Sequence, residues 1–576
     1  MSSKKKKKNY QRQKSDIPQA IANPAREIKL QLNPVRFAAI VTAGFFVIVL
    51  LGILNHEMWR DEHQAWLVAR DAGSLPQLLD NMNYEGNPAL WHFFLYWITR
   101  VTHDAVYMQW FHLAIASCFI FIFNRYAPLG NLHKILFSFG YFPLYEYSVI
   151  SRSYALGILL FFAIGALYKT RTSKYLIIGL LLALLANVNI YSFVTAFAIA
   201  GVLVFDYLFY QQRNAKTTLT LATGMIIFIF GGAFSLYQIW PETDNSFPAS
   251  YASSWIDLPR WWQVGSKFFT TYFNIPRIEE NFWNTNIFLR DPDTITSSSF
   301  GQWLSDNPGY LLAGVIMPIL LFAGGVLIFL RKPLILLLYI AINMGLCCIF
   351  YYTALTYTRY GGYSFMALII CYWLAEYYPE KALTDSFPAY LSRLGKKIQK
   401  PFLIVILILH LIGSIVAYSM EIQYKFSTSG DAAEYIHVNR LDTLPVVGIT
   451  DFIISPLATY LNTKIYYPQM NDTGSFTIWS TKRTPQMNFE ELMSSVRTFM
   501  DKGNPRILFI KDSPTQVSMD GKTYIDVEKA VVGNDLQMDL LQKIDPGIVS
   551  EEKYYIYMLQ KVDPARIDYT NYLRLN

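Results

Sequence analysis

The sequence predicts a polytopic α-helical membrane protein of about eleven spans, with interfacial helices in its first outer loop and a soluble α/β domain at its C-terminus. Three observations lead there. Of the 576 residues, 53% are hydrophobic and only 16% charged, against roughly 25% charged in an ordinary soluble domain. The apolar residues fall in blocks long enough to cross hydrocarbon, which takes about 20 residues of helix. The lysines and arginines of the short connections occupy alternate loops, as expected of a chain that keeps its basic loops cytoplasmic.

Residues 1–36 include the lysine run at positions 4–8, which supplies much of the net charge of +7. Like charges that dense cannot pack, so the segment reads as a disordered cytosolic arm beside anionic lipid. No basic surface accompanies it, and nucleic acid is not expected as a partner. Residues 37–420 hold the spans, at 37–54, 105–123, 135–149, 154–168, 175–190, 193–210, 219–240, 310–330, 334–352, 361–377 and 402–420. With the N-terminus inside, the pairs and clusters Arg125/Lys134, Lys169/Arg171/Lys174, Arg213/Lys216, Arg331/Lys332 and Arg393/Lys396/Lys397/Lys400 are all cytoplasmic. The scheme requires that segment 88–98, too short to cross, lie in the interface with Trp91, Tyr96 and Trp97 at headgroup level.

Three outer segments follow: 56–104, 241–309 and everything after 420. The second carries Trp255, Trp261, Trp262, Trp283 and Trp303, and reads either as a cavity wall or as an interfacial aromatic belt. Cys118, Cys347, Cys348 and Cys371 all fall inside apolar blocks, so neither a disulfide framework nor a zinc cluster is expected. Residues 421–576 change to a soluble pattern. Strands are expected at 446–450, 464–467, 506–511 and 554–559, and helices at 431–437, 456–462, 489–501 and 536–543. That alternation favours a small, largely parallel sheet. No Gly-rich phosphate loop follows a strand, so no nucleotide site is expected; acceptor binding and scaffolding both remain open for this domain.

The candidate chemistry gathers at the outer ends of the spans. Trp59-Arg60-Asp61-Glu62-His63 puts two carboxylates beside the bilayer, where they are costly unless paired or used. One can act as general base on an acceptor hydroxyl or amine while its neighbour orients a substrate group or binds a cation; alternatively Arg60 and the loop solvate the pair. Glu85 and His92, around the Gly86–Pro88 turn, face the same side. His92 is either a proton carrier or a histidine satisfied by interfacial water. Arg152 and Tyr154, in the turn between the third and fourth spans, and Arg359, before the tenth, complete the set. An arginine at this depth can clamp a phosphate through several charge-assisted hydrogen bonds. Snorkelling, or an Arg152–Glu146 ion pair, is the alternative.

An acidic pair in the first outer loop, juxtamembrane helices, the Ser151-Arg152-Ser153-Tyr154 turn, a late Arg359 before an outer-facing span and a globular C-terminal domain together resemble the GT-C glycosyltransferases. The nearest kinds are the bacterial protein O-mannosyltransferases and aminoarabinose transferases, over residues 37–377. The resemblance implies a hexosyl- or pentosyltransferase of the cell envelope. It would sit in the plasma (inner) membrane, N-terminus cytoplasmic and C-terminus outside. It would move sugar from a polyprenyl-phosphate donor to an unidentified glycan, lipid or protein acceptor at the outer face, in an inverting single displacement. Asp61 would be the base, and Arg152 and Arg359 would hold the donor phosphate. Members of the family differ over a divalent cation; no metal-ligand spacing is visible here. Two alternatives stand beside this. A lipid-glycan flippase or transporter would place ionisable groups near mid-bilayer and show related halves. An O-antigen ligase or polymerase would carry its key groups in the late outer loop.

Overall fold

The computed structural model describes residues 33–246, 255–289, 304, 306–354, 357–382, 386–483, 487–518, 524–563, 565 and 572–575. The lysine run at 4–8 and Trp303 lie outside the described residues. Helix α1, Pro34–Asn55, begins where Asn33 accepts the Val35 amide and Pro34 supplies a preset φ. Between α1 and the next long helix follow α2 (Arg60–Arg70), α3 (Leu75–Asn81) and α4 (Leu90–Thr99). The bundle continues through α5 (Val106–Tyr126), α6 (Asn131–Ser138), α7 (Tyr154–Tyr168), α8 (Tyr175–Ala186), α9 (Ile190–Tyr210), α10 (Ala215–Ile239) and α11 (Leu258–Tyr272), then helices Pro308–Phe329, Pro333–Thr353, Thr358–Ala375 and Ser386–Gln423.

Seven of these are long and apolar enough to cross a membrane. Helices α7 and α8 are shorter, and in Thr358–Ala375 every side chain but Tyr360 is buried. The expected span 135–149 is not one helix. Helix α6 stops at Ser138, and after Gly140 the chain makes a π-helical turn over Phe142–Glu146. Pro143 has no N–H to continue the α-helical ladder, so the backbone widens there. A count of eleven crossings is therefore not established. Helices α8 and α10 meet backbone to backbone through Gly179 and Gly224, where a Cβ on Gly224 would lie 2.6 Å from the Tyr175 carbonyl. Small residues allow that approach in the absence of a hydrophobic drive between helices in lipid. Arg171, one of the basic loop residues, holds the buried Asp206 through Nε at 2.6 Å and Nη2 at 3.0 Å.

The last helix, Ser386–Gln423, has 38 residues, roughly 57 Å at 1.5 Å per residue, and delivers the chain to the C-terminal domain. That domain is a mixed eight-stranded sheet, not a largely parallel one. Its strands are β1 (Val446–Gly448), β2 (Ile465–Tyr467), β3 (Asp472–Gly474), β4 (Arg506–Lys511), β7 (Lys529–Val532), β8 (Leu536–Ile544), β9 (Tyr554–Lys561) and β10 (Leu573–Leu575), in the order β10-β7-β8-β9-β4-β1-β2-β3; β5 (Gln516–Ser518) and β6 (Tyr524–Asp526) form a separate ribbon. The parallel pairs are β1–β2, β1–β4 and β10–β7. The expected helix at 536–543 is strand β8, paired antiparallel with β7 and β9. Two flanking ladders satisfy its backbone, and that tertiary pairing outweighs a helix-compatible Leu/Met/Gln composition. The expected helix 489–501 is present as Phe489–Asp501, opened by Asn488 accepting the Glu491 amide.

The segment between α1 and α5 packs against the C-terminal domain. Leu67 of α2 is buried in the apolar cluster that includes Ala432, Ile436 and Ile454 of the C-terminal domain. Gln64 forms a two-way amide bridge with the Thr477 backbone, 2.9 Å each way. In α4, Trp91 and Tyr96 are buried within the protein; Trp97, 60% exposed, keeps an outward position.

Candidate functional site

Helix α2 begins four residues after α1 ends, which puts Asp61 and Glu62 in its first turn, where carboxylates meet the positive end of the helix dipole. Consecutive helical residues point about 100° apart, so the two diverge. Glu62 turns inward and has no exposed surface. It accepts the Trp59 amide at 3.1 Å and the Ser151 amide at 2.5 Å, and faces His56 Nε2 at 3.0 Å. Asp61 turns toward the bundle end that carries Arg152 and Arg359 and is 30% exposed; its Oδ2 takes both Arg152 Nη1 at 2.7 Å and Arg359 Nη2 at 3.2 Å. Burial alone would raise the Asp61 carboxyl, but Arg152, then Arg359 and Arg60, outweigh it and hold it below the usual carboxylate range.

Arg152 arrives through the turn that follows the π-helical segment, and its partner is Asp61, not Glu146. Glu146 instead accepts Tyr141 Oη at 2.8 Å and Trp283 Nε1 at 3.2 Å. Arg359, on the first turn of Thr358–Ala375, is 5% exposed. Its guanidinium is walled by the rings of Trp59, Trp283, Tyr357 and Tyr360 at 4.7–5.4 Å. Aromatic faces stabilise the cation without using its N–H groups. Among the described residues Arg359 Nε and Nη1 and Trp59 Nε1 have no hydrogen-bond partner. A buried donor left unmet is unfavourable by about 1–3 kcal/mol, so this surplus of donors suits an anionic or oxygen-rich guest. Trp283, from the segment after α11, packs on Trp59 and beside the Arg359 guanidinium, whereas Trp255 and Trp261 pack on Tyr351.

The remaining expected residues border the same place. Glu85, one residue before the left-handed Gly86 (φ 63°), accepts Gln64 Nε2 at 2.7 Å. Burial raises its carboxyl, Gln64 and Arg152 oppose that, and Asp61 adds to it. His92 is buried, with no partner for either ring nitrogen among the described residues. Burial, with Arg152 adding, pushes it down to about 3, so the ring is neutral. Tyr154 stacks on Tyr147 at 5.3 Å and faces Tyr360 at 6.4 Å. Among the described residues no group of three or more His, Cys, Asp and Glu is arranged around a common metal position.

Several residues of this region escaped the sequence reading. His56 bridges Glu62 and Glu421, the latter at 2.9 Å, and Glu552 accepts the Arg60 amide at 2.9 Å and Ser427 Oγ at 2.6 Å. An acid at the end of the last apolar helix was the one available signal, at Glu421; nothing local marks the others. Burial pushes the Glu552 carboxyl up from 4.5 to about 7, against Ser427 and the Arg60 amide. The native state then holds a proton that the unfolded chain has released, so stability falls as pH rises from about 4.5 through 7, a contribution of roughly 3 kcal/mol. Glu552→Gln should remove it. Melting of detergent-solubilised protein at pH 5.5 and 7.5 should show a smaller fall for the variant, and equal pH slopes would contradict the assignment.

Fold and site together define a multi-pass helical membrane protein whose C-terminal α/β domain lies against an ion cluster of one aspartate and two arginines. No family model matches the sequence, and no curated protein does. A remote likeness exists to a solved structure, the crystal structure of ArnT from Cupriavidus metallidurans bound to undecaprenyl phosphate. It covers 84% of this chain and 96% of that chain, at 12% identity and a TM-score of 0.43.

Proposed function

We propose that the protein is a glycosyltransferase that moves a sugar from a polyprenyl-phosphate donor to an acceptor at the outer membrane face. The observation that carries this reading is the Asp61–Arg152–Arg359 cluster with its unspent Arg359 donors. Two guanidinium groups at the end of the bundle fit a phosphate held at headgroup depth, where a lipid-linked donor resides. Asp61 withdraws the proton from the acceptor's nucleophilic hydroxyl or amine as that atom attacks the anomeric carbon. The bond from that carbon to the phosphate oxygen breaks, the configuration inverts, and Arg152 and Arg359 neutralise the leaving phosphate. In the empty site the arginines make Asp61 a weak base. A phosphate shared between them offsets their charge and brings the carboxylate closer to useful basicity. Glu85 and Tyr154 border the pocket as substrate contacts, and His92 stays neutral. The main charged cluster lies at helix ends, which favours a transferase over a transporter.

Purified protein supplied with radiolabelled polyprenyl-phosphate hexose or pentose should transfer label, and the matching sugar nucleotide should not support transfer. Transfer from the nucleotide alone, in lipid-free detergent, would rule the reading out.

A further inference from the structure

Glu62 touches none of the open site, yet it is the best-bonded carboxylate near it. Its Oε1 accepts the amide of Ser151, the residue before Arg152, and its Oε2 accepts the amide of Trp59. Glu62 also directly follows Asp61. One side chain therefore ties the amide next to Arg152 to an amide two residues before Asp61. Behind it His56, with a fully buried side chain, places Nε2 3.0 Å from Glu62 and Nδ1 2.9 Å from Glu421. Each ring nitrogen faces a carboxylate, and only an imidazolium donates at both. Burial alone would lower its pKa, but Glu62 and Glu421 raise it to about 10. Glu421 stands at the outer end of Ser386–Gln423, accepts Tyr145 Oη at 2.7 Å, and its carbonyl accepts Asn55 Nδ2 at 2.5 Å. Phe426, three residues beyond that helix, packs on the His56 ring at 4.6 Å.

We propose that Glu62, His56 and Glu421 are positioning residues that lock the Asp61–Arg152 geometry to the end of the last membrane helix, from which the C-terminal domain extends. A buried charged triad is poor stability design, because apolar residues of the same volume serve as well or better. What it supplies is directional: three elements far apart in sequence are held in one register by short, charge-assisted bonds. Glu62 accordingly acts through its neighbours and does not contact substrate. The role in catalysis rests on the transferase reading; the mechanical coupling does not.

Two measurements on the full chain in lipid nanodiscs test this. Glu421→Gln keeps size but places an amide where the imidazolium needs an acceptor. Hydrogen exchange at the amides of Trp59 and Ser151, which residue 421 does not touch, should quicken on the order of tenfold while α5, elsewhere in the bundle, keeps its protection. Unchanged exchange at both amides overturns the proposal, and so does an equal loss of protection throughout the bundle. The second is a double-mutant cycle on transfer. Glu421→Gln should lower kcat on the order of tenfold in the wild-type background but hardly at all on top of Asp61→Asn. An equal loss in both backgrounds marks a merely structural role and overturns the proposal. A wild-type protein with no transfer from any polyprenyl-phosphate sugar defeats the functional reading instead, and the exchange result still decides the coupling.

Discussion

Asp61→Asn should lower sugar transfer by at least roughly a hundredfold, the usual scale of a lost general base, with the protein still inserted and folded. The substitution preserves volume and removes the charge that Arg152 and Arg359 share, at 2.7 Å and 3.2 Å. Asparagine can still accept a hydrogen bond from one arginine, so the loops should keep their places, and the 30% exposure of Asp61 lets water solvate what is left over. Binding of the donor should survive or tighten, because one anion that competes for the arginines is gone. The decisive comparison is transfer rate beside affinity for bare polyprenyl phosphate. Near-normal transfer by the variant would end the assignment of Asp61 as base.

The second large effect is expected at Arg359. Its guanidinium is almost wholly buried, walled by four aromatic rings, and has Nε and Nη1 unspent. A phosphate that takes those N–H groups gains charge-assisted hydrogen bonds out of water, so Arg359→Ala should weaken polyprenyl-phosphate binding by about 2–3 kcal/mol. Arg152→Ala should do likewise, and additionally free Asp61. Lysine at 359 should restore only part, since an ammonium lacks the planar fork and stacks less well on the rings. Calorimetric titration with bare polyprenyl phosphate measures this directly. Equal affinity in wild type, Arg359→Ala and Arg359→Lys would remove the phosphate from this site. The lysine variant also guards against a trivial result, because it retains the charge and most of the packing.

Composition and patterning alone place the chain in the membrane class, since apolar blocks about 20 residues long, with only 16% of residues charged, suit crossing hydrocarbon. The sequence also marked Asp61, Arg152 and Arg359, because ionisable residues beside a span are costly enough to be noticed singly. Tertiary structure decided the rest. Which of two adjacent carboxylates faces Arg152 and Arg359 depends on the phase of α2, a short helix whose start is set partly by Glu552, 492 residues away from Arg60. His56 and Glu421 are partners across 365 residues, and no local pattern encodes a contact between the first and last helices. The break after Gly140 was latent in Pro143, but a run of aromatic and apolar residues concealed it within an apparent span. Residues 536–543 became a strand because β7 and β9 were there to pair with it, and a short segment's own propensity is weaker than two ladders of hydrogen bonds. Composition and periodicity report what each segment must avoid, whereas burial of paired charges reports what distant segments require of one another, and only the folded chain brings those together.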